Sequence, residues 1–116
     1  MKEERVEWIY IAASIAEIQF LPNNLTEIEI KGKKICIALH QEQLYACAAK
    51  CPHASGRMVT GFIDANGNIE CPLHRYRFKL NNGFNISGEG YYLKTYPTKI
   101  TEEGVFVGIK RGWLSF

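Results

Sequence analysis

Two short segments combine thiols and imidazoles beside prolines: Cys51-Pro52-His53-Ala54-Ser55-Gly56 and Cys71-Pro72-Leu73-His74-Arg75-Tyr76-Arg77-Phe78. One residue separates Cys51 from His53, two separate Cys71 from His74, and seventeen lie between the two halves. Two soft thiolates with two imidazoles suit zinc or an iron–sulfur centre. A zinc finger with two cysteines and two histidines groups each type together and sets the histidines on a helix, whereas each segment here supplies one of each. A different zinc site, Cys47-x-x-x-Cys51 with Cys71-x-x-His74, leaves His53 idle and would make the chain a zinc-stabilised binding module.

The two half-motifs resemble those of Rieske iron–sulfur proteins, as does the spacing of Phe78 and Gly83 after the second one. The resemblance implies one 2Fe–2S cluster per chain, with Cys51 and Cys71 on the inner iron and His53 and His74 on the outer one. High-potential members carry an additional, disulfide-forming cysteine in each loop and a serine two residues after the second histidine. Here those positions are Gly56, Leu73 and Tyr76. What remains is similar to the ferredoxins of ring-hydroxylating dioxygenase systems and to the small subunit of nitrite reductase. It implies a low-potential carrier near the bottom of the Rieske range, about −150 mV. Such a carrier takes one electron from a flavin-dependent reductase and passes it to a terminal oxygenase or another acceptor enzyme. The alternative is a non-catalytic subunit of a nitrite-reductase-type enzyme. The outer ring nitrogens of His53 and His74 would couple reduction to proton uptake at alkaline pH.

Arg75 stands where related sequences often have glycine, and a cation beside His74 would favour the reduced cluster. Lys50, Arg57, Arg75 and Arg77 adjoin the ligands in sequence, while the nearest acids along the chain are Asp64 and Glu70. This pattern suggests a basic rim that steers an acidic partner. Cys36 and Cys47 fall in strand-like runs and read as small buried packing residues, with a disulfide between them left open. His40 reads as structural or surface, and Met58 as either a cover over the cluster or an ordinary core residue. No Ser–His–Asp set, phosphate loop or flavin or nicotinamide fingerprint is present. A mononuclear oxygenase iron would need ligands beyond His40, so the chain is expected to be a carrier and not an enzyme.

Positioning these loops requires a rigid frame, and the rest of the sequence describes one made of strands. Glu27-Ile28-Glu29-Ile30 alternates polar and apolar, and in the next run Ile35, Ile37 and Leu39 share one face while Cys36, Ala38 and His40 share the other. Gly32 marks a tight connection, and Leu44 to Ala49 is expected to be the hairpin partner. Asp64-Ala65-Asn66-Gly67-Asn68, Asn82-Gly83 and Glu103-Gly104 mark further turns. Strands are expected at 8–11, 78–80, 84–86, 91–96, 99–101 and 105–107, and Ser14-x-x-Glu17 has the spacing of a helix-capping box. The result is an all-β Rieske fold of eight to ten antiparallel strands in sandwich or barrel-like sheets. A single domain over 1–116 is expected, with a cluster-binding subdomain at about 48–80. Trp113 and Phe116 are expected to cap one end of it or to meet a partner.

The composition is 47% hydrophobic and 22% charged, as in folded globular proteins, and the net charge of +2 is too small for a nucleic-acid binder. The N-terminal sequence mixes acids and bases, and no run approaches the ~18 apolar residues of a membrane span. A cytoplasmic protein without membrane or nucleic-acid partners is expected.

Overall fold

The computed structural model describes residues 6–53 and 56–110. Its strands are β1 (Val6–Ala12), β2 (Leu25–Ile30), β3 (Lys33–His40), β4 (Gln43–Ala48), β5 (Phe62–Ile63), β6 (Asn68–Glu70), β7 (Arg77–Lys79), β8 (Thr95–Tyr96), β9 (Thr98–Thr101) and β10 (Gly104–Lys110). They form three sheets, ordered β1-β10-β9, β2-β3-β4-β8 and β5-β6-β7. Every pairing is antiparallel, as the alternating patterns require. Trp113 and Phe116 lie outside the described residues.

The middle sheet is apolar on both faces, which explains the unbroken run from Ile35 to Ala38. Ile35 and Ile37 join Leu44, Val105, Val107 and Ile109 in an upper core against the first sheet. Cys36 and Ala38 join Leu25, Met58, Ile69, Phe78 and Leu93 in a lower core against the small third sheet. Each large aliphatic side chain removed from water here contributes about 1.5–3 kcal/mol. β3 is therefore the shared wall between the sandwich and the part that carries the thiol and imidazole loops.

Tight turns set the registers. Lys31-Gly32 and Gln41-Glu42 join β2 to β3 and β3 to β4, with both residues of each pair at positive φ (52° and 82°, 52° and 66°). This geometry is that of a type I′ hairpin, whose twist matches that of the flanking strands. Gly32 announces the first turn. The second is built from two residues that each bear an unfavourable left-handed backbone, at about 1–2 kcal/mol apiece. Asn82-Gly83 also turns the chain as expected. Gly83 is at φ 79°, and a Cβ there would overlap the Leu93 carbonyl oxygen.

Three elements differ from expectation. The run at 84–86 forms no strand and makes only single bridges, Phe84 to Tyr92 and Asn85 to Phe78. Ser14-x-x-Glu17 gives only a 3-10 turn over Ile15–Glu17, and Ser14 makes no side-chain cap bond. Ile15 and Ile18 both pack on the upper core, and three residues per 3-10 turn put them on the same side. The run at 91–96 is a strand only at its end, in β8. Before it, Tyr92 makes one bridge to Phe84 and the Lys94 carbonyl accepts the Ala48 amide.

Candidate metal centre

Loop 1, from Cys51 to Gly56, leaves the end of β4, and loop 2, from Cys71 to Tyr76, joins β6 to β7. Both are closed at the neck in the same way. The Cys51 amide donates to the Gly56 carbonyl and the Cys71 amide to the Tyr76 carbonyl, each at 2.8 Å. Beneath the necks, Lys50 bridges to Arg57 and Glu70 pairs with Arg77. The two cysteines are thus anchored into the lower core, with Cys51 3% and Cys71 0% exposed. The histidines extend beyond them, His53 half-buried and His74 exposed.

The donor atoms of Cys51, His53 and Cys71 lie within 4.8 Å of one another. His53 places Nδ1 2.8 Å from Cys51 Sγ and Nε2 2.9 Å from His74 Nδ1. His74 therefore joins the group through His53. Burial, with Cys51 and Glu70 nearby, pushes the Cys71 thiol up to about 11. Binding a metal must displace that proton, so affinity rises with pH. Two soft sulfurs below and two imidazoles above fit an iron–sulfur cluster of mixed ligation.

Gly56 explains how the loops come so close. A Cβ on it would sit 2.9 Å from Cys71 Sγ and 3.3 Å from the Leu73 Cβ. Positions 56 and 73 therefore face each other, which agrees with their matching the extra cysteines of the high-potential branch. Loop 2 makes its bend differently, with both His74 (φ 80°) and Arg75 (φ 62°) in the left-handed region. A glycine would relieve that strain at 75, so the choice of residue there has a backbone consequence that sequence reading treated only as charge.

An aromatic cover lies over His53. Tyr76 stacks on His53 with ring centroids 3.9 Å apart and planes at 29°, and Tyr91 stands 5.7 Å from both rings. A third loop holds Tyr91 in place: Asn85 Nδ2 and Ser87 Oγ donate to Glu89 Oε1, and the Glu89 and Gly90 amides donate to Asn85 Oδ1. The Ser87 hydroxyl, with Asn85, holds the Glu89 carboxyl below its ordinary range. Partial burial and then that carboxylate raise the Tyr76 phenol. Sequence reading identified Tyr76 only as a missing serine and missed Tyr91 and Glu89, which no spacing ties to the ligands.

The expected basic rim takes another form. Arg57 donates to Glu27 on β2 at 2.7 Å, a pairing across thirty residues that sequence proximity could not show, and Arg75 lies 3.9 Å from Glu70. Cys36 and Cys47 are free, buried thiols opposite each other in the β3–β4 register. Cys47 thus faces Cys36 and is not part of the donor group, contrary to the zinc arrangement that would use it. Met58 is wholly buried in the core that holds Cys51 and Cys71, and His40 ends β3 beside the turn at Gly67.

The family model for the Rieske [2Fe-2S] domain matches residues 7–97. The ferredoxin component of the naphthalene 1,2-dioxygenase system of Pseudomonas putida is 30% identical over 105 residues, covering 90% of this chain and 97% of that protein. Among solved structures, a chain from the complex of reduced oxygenase and oxidized ferredoxin in carbazole 1,9a-dioxygenase superposes with a TM-score of 0.72 at 22% identity, over 86% of this chain and 91% of that one. A Mycobacterium tuberculosis protein described as an NADH-dependent nitrite reductase small subunit gives 0.76 at 18% identity, over 91% and 97%. At those identities the structures speak for the fold.

Proposed function

Because the chain belongs to the Rieske 2Fe–2S family, we propose that Cys51, His53, Cys71 and His74 hold its cluster, the cysteines on the inner iron and the histidines on the outer. The protein is a one-electron carrier of the ferredoxin type and not a catalyst in its own right. When bound, the cluster supplies the one-electron couple. The chain's own part is to bury the two sulfurs, to present the histidine edges at the surface, and to keep water from one face of His53 with Tyr76. The observation that carries the reading is the convergence of Cys51, His53 and Cys71 donors within 4.8 Å, with His74 against His53.

In this reading the electron comes from a flavin-dependent reductase and goes to a terminal oxygenase or a comparable acceptor. The 30% identity to a dioxygenase ferredoxin over nearly the whole of both chains supports that circuit. The nitrite-reductase-subunit alternative rests on likeness of fold, and copurification with a large subunit would favour it. Residues 1–116 are read as one domain, with cluster binding confined to about 48–80. No helix among the described residues is long and apolar enough to cross a membrane, and a cytoplasmic setting is the one that reduced thiols and such partners suit.

The test is to purify the protein and measure iron, acid-labile sulfide and the visible and EPR spectra. A red-brown protein with two irons per chain and a potential near about −150 mV is expected. A colourless protein that holds zinc overturns the assignment.

A further inference from the structure

A groove of about 550 Å³ lies beside the neck of loop 1 and apart from the histidine edges. Cations from four stretches of chain line it: Lys33 and Lys34 at the start of β3, Lys50 and Arg57 at the neck, and Lys94 before β8. Glu27 is the one carboxylate among the described lining residues, and it is already held by Arg57 at 2.7 Å. Among the described residues Lys34 and Lys50 have no carboxylate within ion-pair distance, although Glu29 stands opposite Lys34 in the strand register. Ala48, Ala49 and the Tyr96 ring supply an apolar floor, with Lys94 Nζ 5.6 Å from the ring centroid.

We propose that this groove is the docking site for an acidic, extended segment of a redox partner, its carboxylates meeting Lys34, Lys50 and Lys94 while its aliphatic stems cover the alanines and Tyr96. The naming of a redox partner rests on the carrier function; the affinity for an acidic chain rests on the groove alone. The charges are spread along the groove and do not converge on one point, and the single guanidinium fork is occupied by Glu27. That arrangement suits successive side chains of a peptide better than a compact phosphate, which favours a bidentate arginine or a cluster of amides. Lys50 immediately precedes Cys51 and Arg57 immediately follows Gly56, so a segment seated here holds its protein at the shoulder of the cluster loop. Opposite charge at that place speeds encounter and fixes orientation.

The probe is a fluorescein-labelled hexaglutamate peptide, titrated by anisotropy with the iron-loaded protein at low ionic strength. Saturable binding is expected, at least about tenfold weaker for Lys34→Glu/Lys94→Glu and changed less than about twofold for Lys79→Glu/Lys99→Glu, which alters net charge equally. Absorbance and potential of each variant check that the frame and cluster are intact, and the milder Lys34→Gln/Lys94→Gln replaces the first pair where they are not. No saturable binding, equal loss in both pairs, or displacement of the peptide by inorganic phosphate at lower concentration than by free glutamate overturns the proposal. A protein that binds the peptide but holds no reducible cluster overturns the carrier function and leaves the groove standing.

Discussion

Loops 1 and 2 solve one problem in two ways. Each is closed by the amide of its own cysteine on a carbonyl five residues later, at the same 2.8 Å. Loop 1 obtains its close approach by omitting a side chain at Gly56, whereas loop 2 forces two substituted residues, His74 and Arg75, into left-handed backbone. His53 of loop 1 also lies under an aromatic cover, while His74 stays exposed. The pair teaches that the sulfurs are placed symmetrically and the imidazoles are not. His53 is sheltered by Tyr76, whereas His74 stands exposed.

The largest break in the comparison should come from the shared part. Cys51→Ser and Cys71→Ser are both expected to abolish cluster incorporation, read as loss of bound iron, sulfide and visible absorption. Retention in either would show that the sulfurs are not equivalent anchors. Gly56→Val strikes loop 1 alone, since its side chain meets Cys71 Sγ and Leu73. Urea unfolding should show about 1–3 kcal/mol of destabilisation, the usual cost of overpacking. Tyr76→Ala removes the ring stacked on His53 and should cost loop 1 about 0.5–1.5 kcal/mol beyond lost area, seen as faster thermal bleaching. Tyr91→Ala, at longer range, should bleach less. Arg75→Gly acts on loop 2 with the opposite sign. Relief of a left-handed penalty of about 1–2 kcal/mol, less about 0.5–1 for glycine's extra freedom when unfolded, should stabilise the protein by about 0.5–1 kcal/mol.

The smallest effect concerns the frame beneath both loops. The Cys36 contact, followed by burial, raises the Cys47 thiol well above 9.0. In the folded chain this thiol keeps its proton at a pH where the unfolded thiol has lost it. Its contribution is therefore whole below about pH 9 and is lost as pH rises toward the folded value. Unfolding free energy measured with reductant present should fall above about pH 9, and Cys47→Ala should flatten that fall.

The candidate donor set and the frame were largely legible in the sequence because they rest on local signals. Cys-x-His and Cys-x-x-His are spacings, and the alternation of Ile35, Cys36, Ile37 and Ala38 marks both faces of β3 directly. Gly32 and Asn82-Gly83 announce their turns through backbone chemistry. What stayed hidden depends on distant parts of the chain. The Arg57–Glu27 pair needs the packing of loop 1 on β2, and the Tyr76–His53–Tyr91 cover needs three loops at once. The Gln41-Glu42 turn was implied by the expected hairpin but not by its residues, since the pairing of β3 with β4 imposes left-handed backbone against their own preference.

The single-bond necks also define seams. Because one amide-to-carbonyl bond closes each loop and strand pairing resumes immediately beneath it, residues 51–56 and 71–76 are exchangeable cassettes on a fixed chassis. Grafting both cassettes together from a relative of different potential would retune the carrier while leaving the sandwich untouched. Grafting one alone would set a foreign side chain against the gap that Gly56 keeps open, so the two must be exchanged as a matched set.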